Sequence, residues 1–297
     1  MSDMNQASTH ATVPPTLYIE GPAFWTPTLP GWEAARAAFR GEGTLSDPPA
    51  KRPAPQVLAP AERRRAPDTV ALALEVAAAA MAASGRNAAD VPCVFTSAHG
   101  DLSINDYMCG TLATDPKVLS PTKFHNSVHN AAVGYWTIGT GCMAASNAIS
   151  AYEHSFAAGL LEAAVQCAAD QEAVLLVGYD TPTVGALTSV TDSRGLLAVA
   201  LVLAPAPTER TVAALQWSLA SGAQAATAPT PPRSEAARSL AGINPMADAL
   251  GLYESLAHLD AGDAGKAHGS VELPLSPTLS LRLQIQPIQP IQPTSRS

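Results

Sequence analysis

Cys142, set between Gly139, Gly141 and Met143 in the stretch TIGTGCMAAS, is the residue whose type points most directly to covalent chemistry. A thiolate attacks a carbonyl carbon and can hold an acyl group as a thioester, provided that a base is near. His125 and His129, in SPTKFHNSVHN, supply two candidate bases. Spaced i, i+4, they would share a face if the segment were one helix, a spacing that also suits metal ligation. The zinc-protease version of that spacing needs a Glu beside the first His, and Asn126 stands there instead, with no third ligand apparent, so no metal is expected. Against Cys142 as nucleophile, its glycines make a flexible loop, whereas attacking residues sit on rigid turns. Cys93, Cys109, Cys142 and Cys167 lack C-x-x-C spacing and lie among apolar residues, which reads as reduced, buried thiols. The concentrated positive charge is Arg63, Arg64 and Arg65, with Lys51 and Arg52 nearby, which suits either a solvated loop or a patch for an acidic, phosphate-bearing partner.

The elements that must position these groups follow from pattern. LYIEGPAFW reads as a strand ending at Gly21-Pro22, and GWEAARAAFRG as a short helix. After a Pro-rich connection, TVALALEVAAAAMAASG reads as a helix, started at Asp68-Thr69 and stopped by Gly85. PCVFTSAHG and AVLLVGYD are continuous apolar runs of the kind found in central strands, and AASNAIS reads as a short buried strand between them. SINDYMCGTLAT, SPTKFHNSVHNAAVGYW and YEHSFAAGLLEAAVQCAAD read as helices. GLLAVALVLAP and TVAALQWSLAS read as antiparallel neighbours joined by PAPTER, followed by a flexible small-residue linker at 221–243, a helix in NPMADALGLYESLAHL and an alternating strand in LSLRLQIQ. Alternation of strands and helices implies an α/β domain over 16–287, a central mixed sheet flanked by helices, between a disordered start at 1–15 and an extended Pro/Gln tail at 288–297.

Composition narrows the function. The chain has 297 residues, 47% of them hydrophobic and 14% charged, with a net charge of −8. No broad basic face is visible for nucleic acid, which demands clustered Lys and Arg. No leader pattern and no apolar run long enough to span a bilayer is apparent, so the cytoplasm is the expected compartment. Gly178 and Gly185 form no phosphate loop, no G-x-G-x-x-G follows a strand, and no cofactor is expected.

Two stretches, LSPTKFHNSVHNAAVGYWTIGTG and HSFAAGLLEAA, carry a resemblance. Over about residues 16–205 the chain resembles the N-terminal half of the β-ketoacyl synthases of the thiolase-like superfamily, and more narrowly the chain length factors of aryl polyene and xanthomonadin-type clusters. The resemblance implies half of a thiolase-like fold. It also implies a register: stepping back from Gly178, at the end of AVLLVGYD, by the family's helix length lands on Glu153, not on Cys142. A carboxylate would then stand where the acyl-accepting thiol belongs. A thiol at a helix N-terminus gains from the local field, whereas a glutamate there is a poor acyl acceptor. The family's two catalytic histidines come from the C-terminal half, and this reading expects them to be missing. The resemblance therefore implies a subunit without its own chemistry, paired with a catalytic ketosynthase or with a second copy of itself, and served by an acyl carrier protein. Asn130, Val133, Gly134, Tyr135, Trp136 and Ile138 would face the partner, and Arg63, Arg64 and Arg65 the carrier protein. A stand-alone acyltransferase using Cys142 with His125 or His129 remains the alternative.

Overall fold

A computed structural model describes residues 14–259 and 269–288. The expected disordered start and tail lie outside these, apart from residues 14, 15 and 288. The elements in chain order are β1 (Leu17–Trp25), α1 (Trp32–Phe39), α2 (Pro60–Arg65), α3 (Asp68–Ser84), β2 (Cys93–Thr96), α4 (Leu102–Thr114), α5 (Pro121–His125), α6 (Ala131–Thr140), β3 (Ser146–Ile149), α7 (Ser155–Asp170), β4 (Val174–Asp180), β5 (Leu197–Ala204), β6 (Thr211–Ser221), α8 (Glu235–Leu240), α9 (Leu250–Ala257), β7 (Gly269–Ser276) and β8 (Leu279–Gln286). The strands form one eight-stranded sheet in the order β3-β2-β4-β5-β1-β6-β8-β7. β3, β2 and β4 run parallel and all other pairings are antiparallel, so the sheet is mixed.

Both faces are covered, which is why β4 and β5 read as unbroken apolar runs: every residue of each is buried. On one face α3 and α6 pack Leu72, Ala77, Val133 and Trp136 against Phe95, Leu175 and Val177. On the other, α1, α7, α8 and α9 bring Phe39, Phe156, Leu160, Leu240 and Tyr253 onto Ile19, Leu176 and Leu201. The helix α3, apolar on all sides because it is a buried Ala/Leu helix, ends at Gly85 in a left-handed cap with φ 69°. The helix α7 comes close enough to β2 that a Cβ built on Gly159 would lie 2.7 Å from Thr96 Cγ2. Gly159→Val is therefore expected to cost about 3 kcal/mol of stability through overpacking, measured as a lowered urea midpoint at unchanged m-value.

Several expectations need correction. β1 does not stop at Gly21-Pro22: it bulges there, with Gly21 at φ 52°, and continues to Trp25. A Cβ on Gly21 would lie 2.2 Å from the Ala80 carbonyl oxygen, so close backbone approach explains the glycine. β5 and β6 are not neighbours, because β1 inserts between them. The AASNAIS strand, β3, is a sheet edge, and its first two residues are exposed. The SPTKFHNSVHNAAVGYW helix is broken into α5 and α6 by a turn at 126–130. The stretch 221–243, expected as a flexible linker, is packed: Ala237 and Leu240 enter the core, and Thr230 lies along β7, its N–H donating to the Glu272 carbonyl at 2.9 Å. Its small residues permit this close laying of chain on sheet.

Candidate functional site

The carboxyl ends of the parallel strands β2, β3 and β4 bring chemistry-bearing residues together, as expected of an open α/β sheet. Three segments leave these ends: 97–101 after β2, 150–154 after β3 and 181–196 after β4. The turn from β3 into α7 is tight. A 3-10 turn, Tyr152–His154, leads directly into Ser155, and Tyr152 adopts φ 53°, a left-handed conformation costly for a side chain of this size. Ser155 fixes the turn locally, its Oγ accepting from Ala151 N at 2.9 Å and donating to the Tyr152 carbonyl at 2.6 Å. Thr96 Oγ1 donates to the Ser155 carbonyl at 2.7 Å and joins the turn to β2. Glu153, the residue that register counting singled out, is exposed on this 3-10 turn at the mouth of α7, and the strained residue is its neighbour Tyr152.

Around the turn lies a polar network. Asp180, at the end of β4 and 1% exposed, accepts from Ser97 Oγ at 2.7 Å and from Ala98 N at 3.2 Å. Burial pushes its carboxyl up to about 7, against the pull of these donors and of the His99 N–H. His129 Nε2 donates to the Ser97 carbonyl at 2.9 Å, and Ser150 Oγ donates to the Ala98 carbonyl at 2.9 Å. His99 Nε2 shares a hydrogen bond with Thr191 Oγ1 at 3.0 Å, and the His99 ring meets Tyr152 edge-on at 5.3 Å. Partial burial lowers the His99 pKa, with Glu153 opposing and His129 adding to the shift. A cavity of about 290 Å³ opens beside the turn, lined among others by Glu153, His154, Thr191, Asn244 and Asp248. Burial raises Asp248 to about 7, and the Glu153 charge adds to the effect. A larger cleft of about 830 Å³ between α1, α8 and α9 is remote from these strand ends; the buried Glu254 there is spent accepting from the Arg233 and Ser234 backbone N–H groups.

The remaining expected site residues are scattered. Cys142 is 4% exposed, beyond the C-terminal cap of α6, its Sγ pointing at the Val91 carbonyl at 3.6 Å. His129 stands at the opposite end of α6, a helix of 10 residues and so roughly 15 Å long, and cannot act as base for Cys142. His125 ends α5 and meets the Tyr135 ring edge-on at 6.1 Å. The two histidines share no helix face, and among the described residues no three His, Cys, Asp or Glu side chains could hold a metal ion. Geometry thus removes the stand-alone Cys142 dyad. Cys93 is an inert core thiol, pushed up to about 12 by burial with Cys142 beside it. Cys109 corrects the reading of four buried cysteines: it is exposed.

The expected partner-facing segment divides by face. Val133 and Trp136 are 5% and 1% exposed and belong to the core, while Gly134 and Tyr135 are half-buried and Asn130 is exposed. Ile138, on the helix that packs beside the edge strand β3, is 81% exposed and Met143 is 94% exposed, and Phe124 and Val128 are exposed as well. Of the three arginines, Arg63 turns inward to donate from Nη2 to the Leu58 carbonyl at 2.8 Å, leaving Arg64 and Arg65 exposed. They stand just ahead of Thr69, whose hydroxyl donates to Asp101 after β2 at 2.8 Å, on the same rim as the strand ends. Sequence reasoning missed Ser97, His99, Tyr152, Asp180 and Asp248. The signal for four of them was position alone, at or directly after a strand end.

Residues 36–249 match the family described as the β-ketoacyl synthase N-terminal domain. The chain belongs to this family. Among solved structures, the ketosynthase (ApeO) in complex with its chain length factor (ApeC) from Xenorhabdus doucetiae is similar at 22% identity and TM-score 0.62, over 91% of this chain and 99% of that one. The ishigamide ketosynthase/chain length factor is similar at 14% identity and TM-score 0.66, over 92% and 99%. A type II acyl-carrier protein in complex with its ketosynthase bound to the hexaketide (AntDE:AntF) is similar at 14% and TM-score 0.56, over 70% of each chain. No curated protein matches in sequence. These likenesses establish the thiolase-like ketosynthase fold for this β-ketoacyl synthase N-terminal domain. Among its described residues no helix is long and apolar enough to cross a membrane.

Proposed function

We propose that this β-ketoacyl synthase N-terminal domain is a non-catalytic, chain-length-factor-like subunit that pairs with a catalytic ketosynthase and shapes the space in which a growing acyl or polyene chain lies. The observation that carries this reading is the strand-to-helix apex. Tyr152, Glu153 and His154 stand there, none of them a thiol, while the nearest cysteine in sequence, Cys142, is sealed at the far end of α6. A phenol, a carboxylate and an imidazole offer no acyl-accepting sulfur at the position where a strained turn would present one. The resemblance to aryl polyene chain length factors, and the ketosynthase and chain length factor complexes among the similar structures, support the class of pathway. Exposed Ile138 on α6, which packs beside β3, and exposed Met143 just ahead of that strand, together with a β3 edge left unpaired among the described residues, support a protein partner, since such edges and apolar side chains are normally covered. Co-expression with candidate ketosynthases followed by size-exclusion chromatography tests the reading. A one-to-one complex is expected, and a monodisperse monomer that never co-purifies would defeat it.

The same reading assigns Arg64 and Arg65 to docking of an acidic acyl carrier protein. Arg64→Glu with Arg65→Glu should weaken carrier binding to the assembled complex by roughly tenfold, and the loss should shrink as salt is raised. Calorimetry at two ionic strengths measures it; unchanged affinity at low salt moves the docking surface elsewhere. Arg63 is left intact because it supports the loop below it.

A further inference from the structure

We propose that Tyr152 is a latch: its side chain fastens the loop 181–196 across the strand ends and holds it as one wall of the crevice beside the α7 mouth. This deepens the reading of the apex as a site without its attacking atom, by naming what occupies it.

Tyr152 is the apex residue of the β3–α7 turn and carries φ 53°, a conformation that Gly, Asn or Asp would adopt at far lower cost. A bulky residue kept in that conformation implies that its side chain is needed where the turn aims it. Its hydroxyl donates to the Val190 carbonyl at 3.1 Å, and its ring lies edge-on to His99. His99 in turn binds Thr191, the next residue of the loop, so adjacent loop positions are tied to the segments leaving β3 and β2. The base of the loop closes on itself through Thr183 N to the Ser193 carbonyl at 2.7 Å and Ser193 Oγ to the Thr181 carbonyl at 2.7 Å. The tip has little apolar anchorage: Val184 and Val190 are exposed, and Gly185 rests on Asp106 of α4. The returning arm of the loop, Thr191 to Ser193, forms one wall of the 290 Å³ cavity that also holds Glu153 and Asp248. Two side-chain hydrogen bonds, Tyr152 to Val190 and His99 to Thr191, therefore tie down a tip with weak packing of its own beyond the bonds at the base of the loop, the situation in which local opening is set by a few bonds.

Hydrogen exchange on the full chain, read by mass spectrometry, tests this without any partner protein. In Tyr152→Phe, which keeps the ring and removes the bond to Val190, amides of 183–192 should exchange about five-fold faster, the worth of one hydrogen bond, while β4 and β5 are unchanged. Tyr152→Ala, which also removes the His99 contact, should exceed that. Unchanged exchange of the loop in both variants overturns the latch. So does an increase spread through β4 and β5 in Tyr152→Phe, which would make the hydroxyl a general support of the sheet. Because no ketosynthase is involved, failure of the pairing experiment and failure of this one are separate results.

Discussion

Between about pH 4 and about pH 7 the wild-type chain should lose stability as pH rises, and Asp180→Asn should remove about half of that slope. Asp180 is 1% exposed, and burial lifts its carboxyl to about 7, far above its ordinary range. The folded state therefore binds a proton that the unfolded chain has already released over this interval. A group shifted in this direction contributes its full stabilisation below the unfolded pKa and loses it as pH climbs through the folded one. A shift of about three units corresponds to roughly 4 kcal/mol, large against the total stability of a domain. Asp248 is shifted the same way and adds to the slope in both proteins, so the difference between them isolates Asp180. Asparagine preserves shape and can accept from Ser97 and Ala98 while carrying no charge. Urea midpoints at several pH values across the interval provide the measurement. Parallel curves for the two proteins would mean that the donors around Asp180 outweigh its burial and hold it ionised.

The network around Asp180 was invisible in the sequence for a definable reason. AVLLVGYD announces a central strand by its apolar run, and that much is local information. Whether its closing Asp is solvated or sealed depends on the β2 loop laid across it, a contact between residues 97 and 180. The same division runs through the fold. α1, α3, α4 and α7, and the runs β4 and β5, were legible because periodicity and caps are local. The insertion of β1 between β5 and β6 was not, because strand order is set by pairing across almost the whole chain. β7 was overlooked because Pro274 sits in it, and it is an edge strand where a missing N–H is tolerated. At the site, counting back from Gly178 reached the turn between β3 and α7 and named Glu153, but φ angles are not written in residue types, so the strained neighbour Tyr152 passed unnoticed. Likewise AAVGYWTIG identified a segment, and only the helix phase of α6 reveals that Trp136 turns inward and Ile138 outward.

That phase produces the largest binding effect to be expected. Ile138→Glu combined with Met143→Glu should weaken association with a catalytic ketosynthase by more than a hundredfold while leaving the chain folded. Both side chains are almost fully exposed in the isolated chain, at 81% and 94%, so charging them removes little native packing. In a complex that covers them, two apolar contacts worth roughly 1.5 kcal/mol each are lost, and two carboxylates must be desolvated without partners. A total above about 3 kcal/mol exceeds two orders of magnitude in the dissociation constant. Val133→Glu provides the contrast: on the same helix but in the core, it should unfold the protein, not merely detach it. Surface plasmon resonance with immobilised ketosynthase, alongside circular dichroism of each variant, separates the two outcomes. Undiminished binding by the double variant would exclude the outer face of α6 as the contact surface and leave the β3 edge to account for pairing by itself.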